Sequence, residues 1–111
     1  MNQLIFNALL AVQEDIHNTA IEKGWWDEPR EDGTMIALMH SELSEALEAL
    51  RAGNPKDDKI PEYRGCEAEL ADVIIRILDF AMGKEHDVIG ALAAKMEMNK
   101  GREYKHGGKK F

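Results

Sequence analysis

A single cysteine, Cys66, is all that the 111-residue chain carries. No internal disulfide can form, and a reducing, cytoplasmic setting is expected. Aromatic residues are scarce at 6%, and only three prolines interrupt the backbone. No stretch alternates polar and apolar residues for long enough to make a half-buried strand. No apolar run is long enough to span a bilayer, and Asn, Gln, Glu and Asp break up Met1 to Ile16 too often for a leader peptide. Positive charge is also in short supply. The 14 Lys and Arg stand against 21 Asp and Glu, a formal net charge of −7. Such a field repels phosphate backbones and anionic lipid, so neither nucleic acid nor a membrane is an expected partner.

What remains is rich in Ala, Leu, Glu, Met and Lys, and its apolar residues recur at helical spacing. The expected fold is all-α: one domain over residues 1–111, built as a four-helix bundle and closing with a basic tail from about residue 102. Leu4, Ile5, Ala8, Leu9, Val12, Ile16 and Ala20 mark a first helix over about 2–23, with Gly24 ending it. A loop follows through Trp25, Trp26, Pro29 and Gly33. Thr34 is the expected N-cap of a second helix over about 35–52, whose apolar stripe is Met35, Leu38, Met39, Leu43, Ala46, Leu47 and Leu50. Gly53 and Pro55 stop it. A polar connection leads to a third helix over about 62–82, and Gly83 separates that from a fourth over about 87–101. The fourth helix turns Val88, Ile89, Leu92 and Met96 to its apolar side.

Two segments carry the chemistry. His40-Ser41-Glu42-Leu43-Ser44-Glu45-Ala46-Leu47-Glu48 and Glu67-Ala68-Glu69-Leu70-Ala71-Asp72-Val73-Ile74-Ile75 each set two carboxylates three residues apart, on one helical face. The second pair is ringed by apolar neighbours, which predicts a buried third helix. Buried carboxylates are costly unless a positive group pairs with them or binds between them. Glu42, Glu45, Glu69 and Asp72 therefore suit a hard divalent cation, Mg²⁺ with Mn²⁺ as a substitute. Arg76 and Asp79 continue the acidic row of the third helix. Arg76 offers the alternative of an ion pair without metal, yet one arginine against five carboxylates leaves a negative excess.

Lys95, Asn99 and Arg102 make a polar stripe free of negative charge on the fourth helix. The tail, with Arg102, His106 and Lys109 among glycines, reads either as a disordered extension or as a flap that binds phosphate. Trp25 and Trp26 either cap the core or give a flat ligand a stacking face. His17 and Asn18, near the end of the first helix, are either plain surface residues or ligands beside that face. No Glu-x-x-His repeat, phosphate-binding Gly-x-x-x-x-Gly-Lys loop, dinucleotide fingerprint or cysteine–histidine cluster occurs. Metal-assisted attack of water on a polyphosphate fits the parts that do occur.

The pattern Glu42-x-x-Glu45 … Glu69-x-x-Asp72 resembles the signature of the all-α nucleoside triphosphate pyrophosphohydrolases, the MazG-like family. The resemblance extends over Lys23-Gly24-Trp25-Trp26, the two acidic segments, and the end Lys95-Met96 … Asn99-Lys100-x-Arg102 … Lys105-His106-Gly107. It implies a bundle completed as a homodimer or homotetramer, and Mg²⁺-dependent cleavage of a nucleotide between its α and β phosphates. Glu42, Glu45, Glu69 and Asp72 would then bind metal, and Glu42 or Glu45 would orient the water. Lys95, Asn99 and Arg102, with His106 and Lys109 of the tail, would face the phosphates. Trp25, Trp26, His17 and Asn18 would form the base pocket. The phosphoribosyl-ATP pyrophosphohydrolases share that fold and metal motif, but the tryptophan loop and His-Gly-Gly tail look unlike them. A non-catalytic helical module that binds a partner is the alternative of a different class.

Overall fold

A computed structural model describes residues 1–102. They form four helices, α1 (Gln3–Glu22), α2 (Asp32–Arg51), α3 (Gly65–Gly83) and α4 (Val88–Lys100), with no strand among the described residues. None of these helices is long and apolar enough to cross a membrane.

The helix ends follow from local chemistry. Asn2 caps α1 by accepting the Ile5 N–H at 2.9 Å. At the other end Gly24 takes φ +84°, so that its N–H reaches Ile21 O and the Trp25 N–H reaches Ala20 O, both at 3.0 Å. That left-handed closure sends the chain sharply out of the helix and launches the tryptophan loop. Gly53, at φ +87°, closes α2 in the same way. Helix α2 begins before Thr34, because the Met35 N–H already bonds Glu31 O at 3.1 Å; Thr34 sits inside the first turn instead of capping it. Helix α3 begins later than its apolar pattern suggests. Asp57 N–H to Tyr63 O at 2.9 Å and Gly65 N–H to Pro55 O at 2.8 Å close residues 56–64 into a loop that keeps Glu62 out of the helix.

Helices α2 and α3 pack as an antiparallel pair, as their side-chain meetings show. Ala49 lies against Gly65, Glu42 against Arg76, and Asp32 against Lys84, so one number rises as the other falls. Helix α1 packs on another face of α3, with Gln13 Nε2 donating to Leu78 O at 3.0 Å. Helix α4 rests chiefly on α1. The core between them is built from small and flexible side chains: Ala20, Met35, Met39, Ala46, Ala68, Val73, Ala81 and Ile89.

The expectation of a third helix buried all round is corrected. Only Ala68, Val73, Asp79 and Ala81 of α3 are buried, while Leu70, Ile74 and Ile75 are exposed. Two neighbours cover two faces of a helix, and α4 leaves the third face open. Parts of the other apolar stripes are open in the same way. Leu43, Leu47 and Leu50 of α2, Leu4, Ile5 and Val12 of α1, and Leu92 and Met96 of α4 all lie on the surface of the single chain.

Candidate functional site

Antiparallel pairing of α2 with α3 sets the two acidic segments opposite each other. One carboxylate oxygen from each of Glu42, Glu69 and Asp72 lies within 4.8 Å of the others. They border a cleft of about 500 Å³ lined also by Glu45, Asp57, Asp58, Lys59 and Ile75. Glu45 is more exposed than Glu42, yet close enough to Glu69 to raise the latter's affinity for a proton.

The charge state of the cluster is set by crowding. A proton shared with Glu42, then burial, then Glu45 push the Glu69 carboxyl up to about 8. Burial alone would raise Glu42, but hydrogen bonds from Glu69 and Arg76 outweigh it and hold Glu42 below the ordinary value. Asp72 is raised, first by burial and then by the Glu42 charge, with Arg76 opposing. As a carboxylate, Glu69 would keep Oε2 buried with no donor among the described residues. A proton or a cation between Glu69 and Glu42 resolves that conflict, and an all-oxygen donor set suits a hard divalent ion.

Two consequences have definite signs. Between pH 4.5 and about 8 the native protein keeps a proton on Glu69 that the unfolded chain has lost, so without metal stability falls as pH rises through that window. Asp72 acts in the same direction. Thermal melts in a chelator across this range should show the decline, and Glu69→Gln should flatten it. Any cation that enters must displace the proton, so its affinity rises over the same window.

A second cleft of about 290 Å³ adjoins the first and shares Glu42, Lys59, Asp72 and Ile75 with it; Trp25 and Arg76 complete its lining. Arg76 Nε donates to Glu42 Oε1 at 3.0 Å, and its Cζ lies 5.7 Å from the Trp25 ring centroid. Trp25 is half exposed, with one side toward this cleft.

Trp26 is placed differently. Its Nε1–H donates to Asp79 Oδ1 at 2.9 Å, and its six-membered ring occupies the space that a side chain on Gly83 would need. His17 meets it edge-on at 5.3 Å between centroids, and Arg30 lies over it at 5.1 Å. His17 Nδ1 is 2.8 Å from Asp79 Oδ1, and Arg30 Nη1 is 3.5 Å from Asp79 Oδ2. Asp79, 3% exposed, is therefore the hub of a separate network and does not belong to the acidic row with Glu69 and Asp72. That removes one carboxylate from the expected excess.

Asn18 is exposed on α1. Lys95 and Asn99 are exposed on α4, and Arg102 follows its last turn; none of them lines either cleft. His106 and Lys109 lie outside the described residues. Sequence reasoning missed Asp57, Asp58 and Lys59, which it took for a plain connection. Their signal was an Asp ahead of two free N–H groups: Asp57 Oδ2 accepts from Lys59 N at 2.9 Å and Ile60 N at 3.0 Å, folding the loop back over the cleft. It also missed Arg30, whose partner Asp79 stood out as an acid in an apolar run. Compared with models of protein families, with curated proteins and with solved structures, the chain matches none.

Proposed function

We propose that the chain is a small MazG-like pyrophosphohydrolase that cleaves (deoxy)nucleoside triphosphates between the α and β phosphates, as a house-cleaning activity on the nucleotide pool. The observation that carries this reading is the meeting of Glu42, Glu69 and Asp72 within 4.8 Å, with Glu45 beside them. Mg²⁺ in that cage, or Mn²⁺ in its place, would offset phosphate charge and acidify a water. Glu42, Glu45, Glu69 and Asp72 would hold it, and Glu42 or Glu45 would also orient the water and take its proton. The water oxygen bonds to the α phosphorus as the bond from that phosphorus to the αβ-bridging oxygen breaks, which yields nucleoside monophosphate and pyrophosphate. Trp25, at the far side of the adjoining cleft, is the stacking face for the base. Trp26, with its ring and N–H engaged in the fold, supports the loop from beneath.

The exposed Leu43, Leu47 and Leu50 of α2 and Leu70 and Ile74 of α3 support a homodimer or homotetramer, since apolar patches of this kind mark interfaces. A phosphate-side role for Lys95, Asn99 and Arg102 would require such an assembly, because α4 does not reach either cleft within its own chain. A mass above the monomer in light scattering is the expected result.

The function is tested by pyrophosphate release from a panel of common and modified triphosphates, with and without Mg²⁺. No release from any of them, from folded protein, would refute it. The Arg76–Glu42 ion pair favours a second reading, a non-catalytic helical partner-binding module, because it neutralises part of the cluster without metal. A melting temperature unmoved by millimolar Mg²⁺ or Mn²⁺ would support the module, as a ligand of the native state alone must raise it.

A further inference from the structure

Arg76 stands on the seam between the two clefts. Its guanidinium is bonded to Glu42 on one side and lies near Trp25 on the other. The side chain is only 23% exposed and that of Glu42 12%, so the pair is shielded from the water that would weaken a surface ion pair. Glu42 also supplies one of the oxygens that converge with Glu69 and Asp72. The same carboxylate thus has two claimants, the guanidinium and any divalent cation in the cleft. An arginine cannot answer a neighbouring cation by giving up its proton. It keeps its charge and can be drawn to another anion, and Trp25 and Lys59 bound the space next to it.

We infer that Arg76 is an exchangeable counter-ion. It holds Glu42 until a divalent cation claims that carboxylate, and it then turns its N–H donors to the phosphates of a nucleotide whose base lies against Trp25. Cation and polyphosphate consequently help each other bind, and the help is reciprocal. The phosphate half rests on the pyrophosphohydrolase reading; the competition with the cation does not.

The test is a Mn²⁺ titration of the full chain by calorimetry, followed by inorganic tripolyphosphate at saturating Mn²⁺. Arg76→Gln should tighten Mn²⁺ about tenfold and weaken tripolyphosphate about tenfold, the worth of one charge-assisted contact in each direction. A misfolded variant would weaken both, so the opposed signs are the signature. Arg76→Lys keeps the charge but loses the planar fork, and should fall between wild type and Arg76→Gln on both scales. Lys59→Gln removes one charge from the same clefts without touching the Arg76–Glu42 pair, and should tighten Mn²⁺ only about twofold through the screened field.

Equal tightening by Lys59→Gln and Arg76→Gln would overturn the inference, as would unchanged tripolyphosphate affinity in Arg76→Gln. A wild type that binds no Mn²⁺ would remove the metal centre and the inference together. Both shifts without cleavage of any nucleotide would leave the exchange standing and remove the catalytic reading.

Discussion

Asp72→Asn should lower Mg²⁺-dependent pyrophosphate release by about a thousandfold or more while leaving the helices intact, the scale of loss when preorganised charge is removed from a reacting centre. The side chain keeps its size and one of its oxygens, so little packing is disturbed. What changes is charge. Burial and the Glu42 charge raise the proton affinity of Asp72, and a neutral amide is a far weaker ligand than a carboxylate for a hard cation. Folding should become slightly easier, because one of a crowd of like charges has gone. A variant that melts at or above the wild-type temperature in chelator, gains no stability from Mg²⁺ and releases almost no pyrophosphate is the expected set. Loss of activity with the Mg²⁺ response retained would move the metal ligands elsewhere.

Asp79→Ala should be strongly destabilising. It strips the buried partner from Arg30, His17 and the Trp26 N–H at once. Removing one member of a buried ionic network typically costs about 3 kcal/mol or more, since the partners remain desolvated. For a domain of this size that corresponds to roughly 15 °C in melting temperature, read by circular dichroism. By contrast Glu48 and Arg51, each about two-thirds exposed, form an ion pair at 2.7 Å whose removal should change stability by less than about 0.5 kcal/mol. Asp79→Asn, which retains an acceptor, should lie between. If Asp79→Ala melted like wild type, the network would be no more than a surface contact.

The four helices were legible in the sequence because capping, left-handed glycines and apolar spacing are local. Gly24 and Gly53 end helices where the pattern predicts. The carboxylate pairs were legible for the same reason, as a three-residue spacing within one helix survives any tertiary arrangement. Burial was not legible. Leu43, Leu47 and Ile74 have the periodicity of core residues, but periodicity states which side of a helix is apolar, not whether another element covers it. Nor could spacing separate Asp79 from Asp72: both share a helix with Arg76, and only the docking of α1 and the tryptophan loop draws Asp79 away. Trp25 and Trp26 looked equivalent as neighbours in the chain. The turn after Gly24 sends one to the cleft and the other under the loop.

The antiparallel pairing of α2 and α3 has a kinetic consequence. Glu42, Glu45, Glu69 and Asp72 all belong to one helical hairpin, so the contacts that gather them join neighbours in the chain. Loops of that length close quickly and at small entropic cost. Trp26 and His17 reach Asp79 only when α1 and its loop have docked across 53 and 62 residues, about twice that separation. Gathering the acidic residues therefore needs a shorter chain closure than building the wall beside them, a difference of about 0.6 kcal/mol for each doubling of length.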